Sequence, residues 1–248
     1  MIVNKFVLGS NPFFDAYVES DILGKLIFIG LVLLSVISWI VLIHKVIITR
    51  SAKKFSQNFK DSFLNQKLNP LGLDTSLLKS NQNNPFLEIY TVLKKQTLDI
   101  LNKNRRFGLQ KENQSEPSYL SPTDIDFVEA HLYNSVAKQT KNLEKNLFIL
   151  STVVTLAPFL GLLGTVWGIL TTFSQLQSQS GGSVHQMVLG GLSLALATTV
   201  LGLLDAIPAL IGYNYLKHEI KDFQTEMECF SNEILSSVEM QYRKVDVK

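Results

Sequence analysis

Asp205 is the one acidic residue that lies among the long apolar stretches of this sequence, and it is the first candidate for chemistry. The chain from Asn146 to Leu204 contains no Lys, Arg, Asp or Glu, and Asp205 ends that run. An acid inside a membrane-spanning helix is costly and is by default a candidate for proton transfer. A span that begins near Met187 would instead place it about 27 Å along the helix, close to the cytoplasmic interface, where an acid is tolerated. Both interpretations stay open.

Three threonines add hydroxyl groups to the same part of the chain: Thr165, Thr198 and Thr199. The common fate of such a hydroxyl in an apolar helix is a hydrogen bond to the backbone carbonyl four residues earlier. The alternative is that it faces a polar path, where it hydrogen-bonds to water or to a carboxylate that would otherwise be poorly solvated. The residue types alone favour the first alternative.

Other kinds of site are not indicated. The four histidines fall on separate segments, so no shared metal site is predicted, and the single cysteine, Cys229, excludes a disulfide framework or a thiolate metal site. The glycines of the apolar run lack the following Lys-Ser/Thr pair of a phosphate-binding loop. No convergent set of His, Asp, Glu or Cys predicts an enzyme or a cofactor. Scattered basic residues at a formal net charge of +2 do not indicate nucleic-acid binding.

The elements that hold these residues are predicted to be membrane-spanning helices. A helix needs about 20 predominantly apolar residues to cross the hydrocarbon core. The run after Asn146 is long enough for two spans and a turn, which we place at 147–173, 187–211 and 174–186, and an earlier run gives span one at 26–44. The earlier run is preceded by acidic residues and is too long for a signal peptide, so we expect it to stay in the mature protein.

The positions of Lys and Arg predict the orientation of the spans. Basic residues follow span one, precede span two and follow span three, which predicts that these flanks are cytoplasmic. They are Lys45, Arg50, Lys53, Lys54, Lys138, Lys141, Lys145, Lys217 and Lys221. The prediction is a short periplasmic N-terminus at 1–25, a cytoplasmic insertion at 45–146 and a cytoplasmic tail at 212–248.

Helix signals recur in the cytoplasmic insertion. Phe55, Phe59 and Phe63 form an apolar stripe on a polar helix, and Asn84 before a proline predicts a helix start. Ser121, followed by a proline and by Asp124, predicts a second start with a capping box. The polar stretch between these helices, about 102–121, is predicted to be a flexible linker.

The helix that starts at Pro122 meets no breaker before span two. If it continues to about Phe173, it would be roughly 75–80 Å long, which is more than twice the hydrocarbon thickness. The helix of span three likewise continues past Pro208 as an apolar stripe: Leu216, Ile220, Phe223, Met227, Phe230, Ile234 and Val238. We therefore predict an all-α polytopic membrane protein with three transmembrane helices and a helical cytoplasmic bundle formed by extensions of spans two and three.

Small residues are frequent in spans two and three. Glycines let the backbone of another helix approach closely, which is how helices associate in lipid. A proline inside a span frees a carbonyl group and predicts a kink. The residues assigned to helix packing and kinks are Pro158, Gly161, Gly164, Gly168, Gly191 and Pro208.

Three stretches of the sequence resemble the MotA/TolQ/ExbB proton channel family. They are GLLGTVWGI in span two, and GLSLALATTVLGL and AIPALIGYN in span three. The first span, KLIFIGLVLLSVISWIVLIHK, is similar to that of TolQ. The resemblance covers all three spans and their order, whereas the cytoplasmic insertion matches only in length and helical character.

The resemblance implies a homo-oligomer, a pentamer of three-span subunits in the bacterial inner membrane. Its lumen would hold the single spans of a TolR/ExbD-like partner, whose aspartate carries protons inward, and the motion would pass to a TolA/TonB-like protein. The family's polar lumen positions fall on Thr165 and Thr199, with Thr198 and Asp205 as further candidates for the path.

One position departs from the family pattern. TolQ and ExbB usually carry a glutamate where this chain has Leu194, and leucine cannot ionise. MotA-type relatives also lack that glutamate, so the resemblance still implies function. Two rivals remain. A structural membrane scaffold would need no polar residues in spans two and three, and a membrane-embedded enzyme would need a cluster of catalytic residues that the sequence does not supply.

Overall fold

The computed structural model describes residues 13, 17–18, 20–65, 69–73, 84–108, 119–178 and 184–243. Five long α-helices make up most of these residues, as the all-α prediction requires. We number them α1, Ile22–Leu64; α2, Pro85–Gly108; α3, Pro122–Glu144; α4, Leu147–Ser178; and α5, Val184–Tyr242.

Three of the helices, α1, α4 and α5, are long and apolar enough to cross a membrane. This confirms the three transmembrane helices of the predicted fold. The limits proposed for each span, and for the segments between them, stay predictions. Much of the N-terminal segment and residues 179–183 of the proposed outer turn lie outside the described residues.

The chain divides into two compact units. The span unit comprises the described residues up to Lys45 together with Asn146–Tyr215, and the extension unit comprises Val46–Lys145 with the described residues from Leu216 onward. Helices α1 and α5 contribute residues to both units. The extension unit thus contains α3, which was predicted to extend span two, and the extension of span three. It also contains α2 and the extension of span one.

Helix α3 ends at Glu144 and α4 begins at Leu147, so the condition of one continuous helix from Pro122 to Phe173 is not met. The interruption lies at Lys145 and Asn146, where Asn146 has a φ of 68°. Asparagine is one of the few residues that adopt this left-handed conformation readily. Lys145 still donates its N–H to the Lys141 carbonyl, and Ile149 donates to the Asn146 carbonyl, so both helix ends keep backbone partners.

The first part of the proposed linker is helical. Helix α2 runs to Gly108, so residues 102–108 of the proposed linker are helical. Lys, Asn and Arg side chains there are compatible with a helix, and two arginines in the last turn interact favourably with its negative end. Residues 109–118 lie outside the described residues.

The core of the extension unit is an aromatic cluster. The Phe86 and Phe230 rings stack with centroids 4.3 Å apart, and Phe63 meets Phe230 edge-on at 5.9 Å. Every residue of the apolar stripe predicted from Leu216 to Val238 is buried. At the edge of this core Lys53 pairs with Glu226 at 2.9 Å, and the hydrogen bond to that carboxylate raises the pKa of Lys53.

Both predicted helix starts in the extension unit are confirmed. The Asn84 side chain accepts the Leu87 N–H at 3.2 Å. At the start of α3 the Ser121 hydroxyl accepts the Asp124 N–H, and the Asp124 carboxylate accepts the Ser121 N–H at 2.9 Å. Burial would raise the pKa of Asp124, but hydrogen bonds from Ser121 and Asn104 outweigh it and hold that pKa below its ordinary value.

In the span unit, α4 and α5 pack with their backbones close together. A Cβ added at Gly161 would lie 3.0 Å from the Thr198 carbonyl oxygen, and one added at Gly168 would lie 2.8 Å from the Gly191 carbonyl oxygen. At Gly202 an added Cβ would lie 2.5 Å from the Ala157 carbonyl oxygen. The approach depends on residues that have no side chain at these positions.

Helix α1 packs beside α5 with a constant register. A Cβ added at Gly24 would lie 2.8 Å from a Leu194 methyl group, and one added at Gly212 would overlap the Leu42 side chain. In both pairs the α5 residue is numbered 170 above its α1 neighbour, so the two helices run parallel. A small apolar core of α1, α4 and α5 joins them: Ile27, Leu31, Val153, Ala157, Ala206 and Ala209.

We expect Asp124→Ala to lower the free energy of unfolding by about 1 kcal/mol at neutral pH, because it removes the capping box. Since the folded-state pKa of Asp124 is lowered, its contribution is present above the unfolded pKa of about 3.9 and is lost as the pH falls through the folded value. Hydrogen exchange of the first α3 amides at several pH values measures this. Asp126→Ala, in the same helical turn, is the control; an equal or pH-independent loss in both variants would contradict the prediction.

We expect Gly202→Ala to destabilise the span unit by about 1–3 kcal/mol, because the new methyl group meets the Ala157 backbone carbonyl, which cannot rotate away. Thermal unfolding of the detergent-solubilised chain measures this. Gly30→Ala on α1 is the matched control, because an added Cβ there meets nothing within 4 Å. Similar melting temperatures for both variants would show that the α4–α5 approach is not tight.

Candidate functional site in the span unit

Thr165 of α4 and Thr199 of α5 meet across the helix interface. Their hydroxyl groups are hydrogen-bonded to each other. The Thr165 hydroxyl also lies 3.1 Å from the Ala195 carbonyl oxygen of α5, and the Thr199 hydroxyl lies 3.2 Å from the Gly161 carbonyl oxygen of α4. The two side chains therefore form a cross-helix pair. The sequence predicted each threonine as a candidate on its own helix but did not predict their contact.

Each hydroxyl of the pair also lies near the carbonyl of its own preceding turn. Thr165 is 3.2 Å from the Gly161 oxygen, and Thr199 is 3.3 Å from the Ala195 oxygen. A hydroxyl has one proton and two acceptor positions, so the pair has more carbonyl acceptors within reach than protons to donate. Both residues are half-buried in the single chain. Either hydroxyl can therefore rotate away from a carbonyl and hydrogen-bond to water or to a charged group, while its side chain stays at the helix interface.

Thr198 differs from its neighbour. Its side chain is fully buried, and its hydroxyl donates to the Leu194 or Ala195 carbonyl at about the same distance, 3.1 and 3.0 Å. It packs against Gly164, where an added Cβ would overlap it. Thr198 therefore fills the space that the glycine leaves.

Leu194, at the family's glutamate position, points towards α1. It is 4% exposed, and its methyl group lies next to Gly24. The Thr165–Thr199 pair lies on the α4-facing side of α5, so Leu194 and this pair occupy different faces of the helix. An acid at position 194 of this chain would face α1.

Asp205 lies on the same α1-facing side as Leu194. Its carboxylate is hydrogen-bonded to the Ser35 side chain of α1, and this pair has the same numbering offset of 170 as the packing pairs on either side of it. Ser35 lies halfway between Lys25 and Lys45, the charged residues that border the apolar part of α1.

The contact with Ser35 favours a deeper position for Asp205 than the count from Met187 gives, and the depth stays a prediction. About 15 Å of helix separates Ser35 from each flanking lysine, so its partner Asp205 lies near the middle of the span unit. The count from Met187 gives a position nearer the cytoplasmic end, but α5 remains apolar up to Leu216 and has no charged residue other than Asp205 before Lys217. The first apolar residue does not mark where such a helix enters the membrane.

Sequence reasoning missed one polar contact. The Trp167 indole N–H donates to the Asp21 carboxylate at 2.7 Å, and the same carboxylate accepts the Gly24 N–H at the start of α1. A buried or half-buried indole usually finds an acceptor, and an aspartate one or two residues before a helix is a frequent cap. Those two signals together could have suggested the pair.

The remaining residues singled out from the sequence do not join these groups. Pro158 lies inside α4 and Pro208 inside α5, and the kinks expected there stay predictions. Cys229 is exposed, in the extension unit. Within the described ranges, no three His, Cys, Asp or Glu side chains lie close enough together to hold a metal ion.

The family model of the MotA/TolQ/ExbB proton channels matches residues 99–229. The match covers more than half of the chain and runs from the last turns of α2 into α5, so it includes the Thr165–Thr199 pair and Asp205. The matched region therefore contains residues of the extension unit as well as of the span unit, and not only the apolar spans.

Curated relatives agree with the family model. The chain is 27% identical to the Tol-Pal system protein TolQ of Haemophilus influenzae over 242 residues, which is 92% of this chain and 94% of that protein. It is 28% identical to TolQ of Pseudomonas aeruginosa over 79% of both chains. Over 107 residues it is 41% identical to the biopolymer transport protein ExbB of Aquifex aeolicus, covering 43% of this chain and 72% of that one. The chain is therefore a multi-pass membrane protein that belongs to the MotA/TolQ/ExbB proton channel family.

Proposed function

We propose that this chain is the inner-membrane subunit of an energy-transducing complex driven by the proton-motive force, similar to TolQ and ExbB. It works without enzymatic chemistry of its own. Five copies surround the single spans of a TolR/ExbD-like partner, and the complex acts on a TolA/TonB-like protein to support transport across, or integrity of, the outer membrane. The observation that carries the proposal is the cross-helix Thr165–Thr199 pair within the region that matches the proton channel family.

In this proposal the threonine pair lines the path of the proton. The partner brings a carboxylate into the lumen, and a charged group there needs polar neighbours because the surrounding spans are apolar. The two hydroxyls supply them, since each is half-buried and has alternative carbonyl acceptors within reach. We do not place Thr198 on this path, because its side chain is fully buried in the single chain and packs against Gly164.

The orientation is proposed from the basic residues that flank the spans. The N-terminus is periplasmic, the insertion and the tail are cytoplasmic, and the extension unit therefore lies in the cytoplasm. An aqueous compartment suits this unit, because α2 and α3 have polar surfaces. The unit also contains two ion pairs, Lys53 with Glu226 and Lys60 with Glu233.

A scaffold that does not conduct ions is the second candidate. Two observations favour it. The Thr165 and Thr199 hydroxyls have backbone acceptors in their own helices, as in purely structural threonines. The side chain at position 194 is a leucine, which cannot ionise. A cross-helix hydrogen bond can also hold the helices of a scaffold together. The conducting subunit is favoured because the pair lies within the region that matches the proton channel family.

The first test is native mass spectrometry of the full chain co-expressed with a TolR/ExbD-like partner and extracted in detergent. We expect a five-copy assembly that retains one or two partner chains. A monomer or a dimer without a partner would contradict the proposed lumen and leave the scaffold as the better account.

The second test replaces one hydroxyl of the pair. We expect Thr199→Val, and likewise Thr165→Val, to lower proton-dependent function by roughly 10- to 100-fold, because a hydrogen bond to a charged group is worth about 1.5–3 kcal/mol. Proton uptake into liposomes that contain the complex measures this.

Thr171→Val is the matched control for the second test, because its hydroxyl donates only within α4, to the Trp167 and Gly168 carbonyls. Native mass spectrometry checks that each variant still assembles. An assembled Thr199→Val complex with the proton uptake of the wild type would favour the scaffold.

A further inference from the structure

The apolar part of α5 contains one carboxylate, that of Asp205, whose role the threonine pair does not explain. Among the described residues, α4 has no charged side chain, and α1 has none between Lys25 and His44. On α5 the nearest titratable groups are Tyr213, Tyr215 and Lys217, at least eight residues beyond Asp205. No basic group along these helices is therefore close enough to neutralise Asp205 by direct contact.

We propose that Asp205 and Ser35 form a proton-accepting site of this chain at the α1–α5 interface, near the middle of the span unit. The inference rests on the proposed proton-driven function and adds a second position on the path, supplied by this chain rather than by its partner. Its geometric basis is the register of α1 against α5, which the Gly24–Leu194 and Leu42–Gly212 contacts fix and which brings Ser35 opposite Asp205. Ser35 also lies midway between Lys25 and Lys45.

The chemistry of Ser35 suits a partner whose protonation changes. Its hydroxyl donates to Asp205 when the acid is ionised and accepts from Asp205 when the acid is protonated. The contact therefore survives both states with only a rotation of the hydroxyl. A lysine or arginine in place of Ser35 would hold the acid ionised, and an apolar residue would leave it without a partner.

Access to the site follows from exposure. Asp205 is half-buried in the single chain, so part of the residue lies at the surface of the span unit. In the proposed step a hydronium ion gives one proton to a carboxylate oxygen of Asp205 and leaves as water. The acid then returns that proton to another water molecule, which restores the carboxylate, and one positive charge has moved.

Asp205 and the threonine pair lie at different depths and on different faces of α5. Thr199 precedes Asp205 by six residues, about 9 Å along the helix, and faces α4, whereas Asp205 faces α1. A proton cannot pass directly between them through side-chain hydrogen bonds of this chain over that distance. Water or the partner's carboxylate must bridge the two positions.

The first measurement is infrared difference spectroscopy of the full chain in lipid nanodiscs during a pH titration. We expect a carboxylic acid C=O band that appears and disappears reversibly in the wild type, is missing in Asp205→Asn, and changes frequency in Ser35→Ala. Asparagine can still hydrogen-bond to Ser35, so this variant keeps the contact and removes only the ionisation. Asp222→Asn, an exposed acid of the extension unit, is the control. Identical titrations of the wild type and Asp205→Asn would overturn the proposal.

The second measurement is proton uptake into liposomes that contain the complex with its partner. We expect Asp205→Asn to lower uptake by about 100-fold, the low end of the contribution of a positioned proton-transfer group. Asp205→Glu keeps the acid and retains uptake. Native mass spectrometry and thermal unfolding check that both variants assemble and fold.

The outcomes separate this inference from the proposed function. If an assembled Asp205→Asn complex takes up protons as the wild type does, the assignment of Asp205 is overturned and the proposed function is not. A wild-type complex that shows no proton uptake overturns the proposed function and this assignment with it. Loss of uptake in both Asp205→Asn and Asp205→Glu, with assembly intact, would show that the carboxylate is needed for its shape rather than its proton and would also overturn the assignment.

Discussion

The close approach of α4 and α5 is the constraint on which the span unit depends. Burial of apolar surface does not drive two helices together in lipid, because the acyl chains are as apolar as the side chains, so association relies on tight packing and hydrogen bonds. Gly161, Gly168 and Gly202 supply that packing by leaving backbone atoms in contact. The same closeness brings the Thr165 hydroxyl within reach of a carbonyl on the other helix. A larger residue at these positions would move the two helices apart and would therefore also break the contact between the two threonines.

The extension unit is held by a different balance of forces. Its buried aromatic side chains indicate that the hydrophobic effect supplies most of its stability, since rings of this size remove large apolar areas from water. The ion pair of Lys53 with Glu226 is partly exposed, and such pairs contribute little on average. One chain thus uses backbone proximity in its apolar spans and side-chain burial in its polar part, and α1 and α5 take part in both.

The sequence predicted the features that depend on local spacing. The stripe from Leu216 to Val238 repeats at the helical period, and the caps at Asn84 and Ser121 need only the residues next to them. The break at Asn146 could not be predicted, because neither Lys145 nor Asn146 excludes a helix. The contacts of Thr165 with Thr199 and of Asp205 with Ser35 depend on the register between separate helices, which no local pattern contains. The family resemblance identified the threonines but gave no information on Ser35.

The register between α1 and α5 limits how these helices can move. Gly24 with Leu194, Ser35 with Asp205 and Leu42 with Gly212 all share one offset, so sliding α1 along α5 must undo all three pairs together. A shift by one turn, about 5.4 Å, would bring Ser20 or Phe28 opposite Leu194 in place of Gly24, so the gap that the leucine fills would be lost. Intermediate positions would leave leucine side chains against backbone rather than in the gaps beside glycine. The register therefore opposes a piston movement of α1 along α5, and a rearrangement of the spans has to be accommodated outside this helix pair.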